Sequence, residues 1–166
     1  MYENGRFRAA KGMAEAASLI CDEAMAAGVH PGFSDHYIQY LTTHLYNVQA
    51  CVDTYTQAPG SGLRLYYKIM DIRKANQRPG NVDDAMWLSY GEQNLGVALM
   101  AEDRAEEALP IYLTRENIQE NRDFNLANIA ICLYLLKRYD EATTYCYRAI
   151  DATRELRGEN SASMAT

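Results

Sequence analysis

The segment Arg138–Cys146, "RYDEATTYC", nearly reproduces Arg104–Tyr112, "RAEEALPIY". Ala108 and Ala142 stand 34 residues apart. The same offset carries Asn94 onto Asn128, Leu95 onto Ile129, Gly96 onto Ala130 and Leu99 onto Leu133. It also carries Arg104 onto Arg138, Glu106 onto Asp140 and Glu107 onto Glu141. The matched positions are small or apolar where two helices of a hairpin would touch. They are acidic at the start of the second helix, where the helix dipole favours negative charge. Self-similarity at a fixed period of about 20–50 residues marks an architecture of stacked units.

Strand-like alternation is nowhere sustained, whereas helical spacing recurs. Ile38, Leu41, Leu45, Val48 and Val52 form one stripe, and Leu126, Ile129, Ala130 and Leu133 a second. "GVHPGFSD" (Gly28–Asp35), "APGSG" (Ala58–Gly62) and "QRPGNVDD" (Gln77–Asp84) break the chain. Ser34 or Asp35, and Asn81 or Asp83, are capping candidates for the helices that follow. Helices are predicted near 6–27, 35–57, 62–77, 83–101, 104–120, 123–136 and 139–156. Short and medium joints between them imply antiparallel hairpins.

Composition narrows the function classes. Hydrophobic residues make up 48% of 166, enough for a sizeable core. A net charge of −6 argues against broad nucleic-acid or anionic-membrane binding, which favour basic surfaces. No apolar run approaches the roughly 20 residues of a membrane span. "MYENGRFRAAKG" has no secretory h-region, so a cytoplasmic location is expected. Cys21, Cys51, Cys132 and Cys146 are scattered, and His30, His36 and His44 show no zinc spacing. The cysteines read as small buried hydrophobes, and no metal or cofactor is expected. "GSG" (Gly60–Gly62) lacks the Lys-Ser/Thr of a phosphate loop. His44, Tyr40 and Asp53 on one helix are a remote acid–base set, making a helical enzyme the least favoured reading.

The repeat resembles the tetratricopeptide (TPR) family. Its pattern falls on "NLG" (Asn94–Gly96), "EEA" (Glu106–Ala108) and Tyr112, and then on "NIA" (Asn128–Ala130), "DEA" (Asp140–Ala142) and Cys146. Ala149 fits the family's late small position and Arg115 departs from it. The family's proline after the second helix is missing, and Trp87 lies too early for the family's tryptophan. Asn47–Ile72 resembles a further repeat with about one inserted residue, and Gly5–Ala17 a turn plus second helix. Long loops and the endings "KIMDIRKAN" and "RAIDATREL" are similar to the longer TPR variant of kinesin light chains and NB-ARC-protein tails. The resemblance implies an all-α, right-handed superhelix of about three and a half repeats in one domain: a lone second helix (6–27), repeats at 35–80, 83–122 and 123–156, and a tail (157–166).

Such repeats imply a non-enzymatic module that binds a peptide or protein segment in a concave groove; a passive or oligomerising scaffold is the alternative. Asn47, Asn94 and Asn128 each precede an apolar position of a first helix. An amide carries both a donor and an acceptor, so it can pair with an extended backbone. In the kinesin-light-chain-like family, asparagines at the matching position clamp peptides. Packing against a neighbouring helix is the competing role. Tyr90, Gln93, Val97 and Met100 would add selectivity, as would Phe124, Ala127, Ile131 and Leu135, unless the second set is core. Arg64, Lys68, Arg73, Lys74 and Arg78 against Asp71 alone form a basic run, either a patch for an acidic motif or a solvated face. The apolar first helix calls for a covering neighbour: either the chain is a piece of a larger protein or it self-associates through open repeat ends.

Overall fold

The structure, a computed structural model, describes residues 2–27, 35–55, 60–118 and 121–157. Among them the chain is all-helical, with α1 (Tyr2–Ala27), α2 (Asp35–Tyr55), α3 (Ser61–Ala75), α4 (Val82–Ala101), α5 (Ala105–Leu113), α6 (Arg122–Leu135) and α7 (Tyr139–Arg157). No helix among the described residues is long and apolar enough to cross a membrane. The proposed cap Ser34, residues 56 and 57 and the tail after 157 lie outside the described residues. The chain forms two compact units, residues 1–98 and 99–166, with the boundary inside α4.

In the first unit α1 packs on α2, and α2 on α3. Gly62 lets α3 approach α2 closely: a Cβ there would lie 2.7 Å from the Ala50 carbonyl oxygen. Asp53, fully buried, ties the three helices together. Lys11 Nζ lies 2.5 Å from its Oδ1, and the Ser61 hydroxyl donates to its Oδ2. The expected stripe on α2 is only partly buried. Ile38 and Val52 are inside, but Val48 is 44% exposed, and Thr42, Tyr46 and Ala50 hold the buried line instead. Polar atoms on that line are satisfied locally. Thr42 donates to the Ile38 carbonyl at 2.8 Å, and the Tyr46 hydroxyl bonds Asp22 and Lys68. At the start of α4, the Asn81 side chain accepts from the Asp84 N–H at 3.0 Å, making Asn81 the N-cap that its position predicts.

The second unit repeats itself at the backbone. After Leu99, Asp103 (φ 58°) turns left-handed, and Arg104 N–H reaches back to the Leu99 carbonyl at 2.9 Å. After Leu133, Lys137 (φ 62°) does the same, and Arg138 N–H reaches the Leu133 carbonyl at 2.8 Å. Asp103 N–H to Met100 O and Lys137 N–H to Tyr134 O complete two Schellman turns, 34 residues apart. Each following helix opens with the same fork. Arg104 grips Glu107 at 2.6 and 2.7 Å, and Arg138 grips Glu141 at 2.7 Å twice. Beyond the turns, α6 packs on both α5 and α7, and Leu126, Ile129, Ala130 and Leu133 are buried as their spacing predicts.

Two expectations are corrected. First, α5 ends at Leu113 rather than at 120. Pro110 interrupts its hydrogen-bond ladder, and beyond Leu113 the bonds tighten to three-residue steps, from Arg115 N–H to Tyr112 O and from Glu116 N–H to Leu113 O. Arg115 therefore departs from a small residue because it is no longer helical. It is buried, and its carbonyl accepts from Asn125 Nδ2 at 3.4 Å. Second, the cysteines do not behave alike. Cys132 is buried, and its thiol is pushed up to about 11 by that burial. Cys51 is half-buried against the Tyr66 hydroxyl at 3.0 Å, and Cys146 is exposed. The Cys21 side chain lies outside the described residues.

Candidate functional site

Two places hold the residues singled out by the sequence, one in each unit. In the first unit, Asn94 Nδ2 donates to Asn47 Oδ1 at 2.8 Å, joining α4 to α2. Both are half-buried. Tyr90 and Gln93 on α4 are half-buried too, the Tyr90 ring lying 6.2 Å from Trp87, while Val97 is exposed. In the second unit, Asn128 is half-buried on α6 and Ile131 is 48% exposed. Phe124 and Leu135 are exposed as well, so within this unit they are surface rather than core.

Ile131 opens into an apolar trough of about 770 Å³ between α6 and α7. Ala130, Ala142 and Ala149 line it, and all three are buried. Tyr134, Tyr139, Cys146, Tyr147 and Ile150 also line it, and these are exposed. The residues 34 positions earlier show what such a face does when it is covered. Met100, Tyr112 and Arg115 correspond to Tyr134, Cys146 and Ala149. Met100 Sδ lies 3.3 Å from Cys132 Sγ on α6, Tyr112 is fully buried, and Arg115 receives Asn125 from α6. That face is occupied by a helix at Met100, Tyr112 and Arg115, although Leu113, the counterpart of Tyr147, stays exposed; its repeat-mate stands open.

The first unit also holds a polar pocket of about 40 Å³ that the sequence reading did not assemble. Its walls are His36, Gln39, Tyr40 and Thr43 from α2, Ile72, Arg73 and Asn76 from α3 to its C-cap, and Asp84 and Trp87 from α4. Arg78 approaches Asp84 through Nε and Nη2, both at 2.8 Å, and His36 Nε2 lies 3.4 Å from the same carboxylate. The Arg78 guanidinium, foremost, holds the Asp84 carboxyl well below the usual range. Among the described residues, Arg73 has no such partner. Its Nη1 donates to the Trp87 carbonyl, its guanidinium lies 5.9 Å over the Trp87 ring, and its Nε is buried with no acceptor. Burial lowers its pKa, and no carboxylate opposes that shift. An unmade hydrogen bond at a buried donor costs about 1–3 kcal/mol.

Gly91 keeps this arginine in place. A Cβ at 91 would lie 2.9 Å from Arg73 Nη1 and 2.9 Å from Met70 Sδ. Glycine inside a helix costs about 0.5–1 kcal/mol relative to alanine, and here it makes room for the guanidinium. A glycine in mid-helix with no turn beside it is the one sequence signal that could have pointed here. His44, at the edge of the cluster, stacks within 4.4 Å of Tyr40 and 4.8 Å of Trp87. Burial first and the Arg73 charge second lower its pKa.

His44 and Tyr40 are thus neighbours, but Asp53 is not with them. Nine residues further along α2, it falls on the opposite face and belongs to Lys11 and Ser61. The remote acid–base set does not come together. The basic run is divided as well: Lys68 lies on Tyr46 and Asp22, Arg78 on Asp84 and Arg73 under Trp87, while Arg64 and Lys74 are exposed. Among the described residues no group of three or more His, Cys, Asp or Glu is placed to hold a metal ion. Set against known proteins, the chain matches no family model, no curated protein and no solved structure.

Proposed function

We propose that this chain is a non-enzymatic protein–protein interaction module of TPR type, working in the cytoplasm, whose hairpins stack as a right-handed superhelix. The observation that carries the reading is the open trough between α6 and α7. Its repeat-mate is filled by α6, an amphipathic helix that meets it with Asn125 and Cys132, seven residues apart and so on one face. The occupant of the trough is therefore an amphipathic helix of a partner protein, with apolar or small residues at i, i+3/i+4 and i+7. Tyr134, Tyr147 and Ile150 are the anchors, because large exposed apolar side chains around a concave floor dominate binding energies.

The asparagines have a secondary place in this reading. The bond between Asn94 and Asn47 uses one donor and one acceptor and leaves one N–H on Asn94, two on Asn47 and the Asn94 oxygen. These remain available to a peptide backbone beside Tyr90, Gln93 and Val97; Asn128 offers its amide from α6.

Display selection of random helical and extended peptides on the purified chain tests the proposal. The expected result is enrichment of helical sequences with the stated spacing. Binding is lost in Tyr147→Glu/Ile150→Glu, whose exposed positions leave the helical circular dichroism unchanged. Extended sequences lost in Asn47→Ala/Asn94→Ala instead would move the site to the asparagines. No enrichment by a folded chain, with a dimer in light scattering, would overturn the reading in favour of an oligomerising scaffold.

A further inference from the structure

We propose that the pocket between α2, α3 and α4 binds a carboxylate, with the Arg73 guanidinium as its cationic anchor. Three observations converge on this. Arg73 has one hydrogen bond to the chain among the described residues, from Nη1 to a backbone carbonyl, and lacks an acidic partner, although a guanidinium is built to grip a planar oxyanion through two N–H groups. The one carboxylate that lines the pocket, Asp84, is held by the Arg78 guanidinium through two hydrogen bonds. The cavity is also built: Gly91 leaves room where a Cβ would press on the guanidinium, and the guanidinium lies over the Trp87 ring.

Size and charge select the ligand class. The pocket is small, about 40 Å³, which suits a carboxylate group. Asp84, the carboxylate on the wall, is already bonded to Arg78, so the Arg73 guanidinium is left uncompensated and favours an anion beside it over a cation. The side-chain amides of Gln39 and Asn76 lie on the walls; one Asn76 N–H bonds the Ile72 carbonyl at 2.8 Å and the other is left to a ligand oxygen. The carboxylate can come from an acidic side chain or from a chain terminus, and both offer the same planar pair of oxygens. The pocket lies in the first unit and stands on observations separate from the trough, so either proposal can fail alone.

Trp87 is the only tryptophan of the chain and reports the site directly. The experiment follows its fluorescence and its indole N–H resonance during titration of the intact chain at constant ionic strength. The probes are acetate, N-acetyl-aspartate amide (side-chain arm), N-acetyl-alanine (terminal arm), and acetamide and sulfate as controls. A saturable response to acetate is expected, absent with acetamide and weakened at least tenfold in Arg73→Gln. Arg73→Lys keeps the charge but not the fork and is expected to fall between the two. Whichever of the two arms binds more tightly identifies the source of the carboxylate. An equal response to acetamide, a tighter response to sulfate, or an unchanged response in Arg73→Gln would each overturn the proposal. Should Arg73→Gln not fold, Gly91→Ala serves in its place, since it shifts the guanidinium without removing it. Acetate binding that is indifferent to Gly91→Ala would likewise count against the site.

Discussion

The two Schellman turns at 102–104 and 136–138 are near copies, yet the helices they launch diverge. Both turns carry a left-handed residue, the same backbone bonds and the same arginine–glutamate fork. Then α5 runs nine residues and carries the fully buried Tyr112, whereas α7 runs nineteen and shows Cys146 at the matching place. The difference teaches that the repeat is encoded at the joints, where local bonds decide, and that burial beyond the joint depends on whether a further helix arrives. For α5 that helix is α6; for α7 the described residues include none.

The contrast can be broken most forcefully at the pair Tyr112 and Cys146. Tyr112→Ala is expected to cost about 3–5 kcal/mol of stability, as a large core truncation does, while Cys146→Ala stays within about 0.5 kcal/mol; urea denaturation of both reads the difference. Equal losses would mean that the two faces are covered alike. Next comes Pro110→Thr, which gives α5 the residue that α7 carries at 144. It should stabilise by up to about 3 kcal/mol and lengthen the helix, visible as added helical circular dichroism. A smaller contrast lies at the paired alanines. Ala108→Leu overpacks a closed contact and should cost about 1–3 kcal/mol, whereas Ala142→Leu has the trough to expand into and should cost clearly less. The finest test sharpens the likeness instead. Asp103→Gly and Lys137→Gly each relieve a left-handed backbone and should stabilise by about 1 kcal/mol, equally, if the turns are truly equivalent. Thermal melts of the two variants decide it.

The same contrast explains what was legible in the sequence. The joints were readable because their signals are local. Asn81 caps α4 as its position says, and the acids after Arg104 and Arg138 sit in first turns. Leu126, Ile129, Ala130 and Leu133 were readable because their period is helical and their face is covered. Val48 was misjudged because the periodic line on α2 competes with Tyr46, whose hydroxyl finds Asp22 and Lys68 from other helices. The length of α5 was misjudged because three-residue bonds beyond Leu113 leave no compositional mark. The pocket around Arg73 was invisible for a different reason. It joins residues 36, 73, 84 and 87, which share no spacing, and only the mid-helix Gly91 could have signalled that a side chain from elsewhere needed the room.

The short joints have a consequence for how the chain reaches its fold. In each unit the helices that pack most extensively are neighbours in sequence: α1 with α2, α2 with α3, α5 with α6, α6 with α7. Closing a three-residue turn restricts little chain, so α6 and α7 can meet before any distant segment is in place. A topology of that kind folds on the order of microseconds to milliseconds. The second unit should accordingly fold fast once its residues are free, with the α6–α7 hairpin among the first contacts to close.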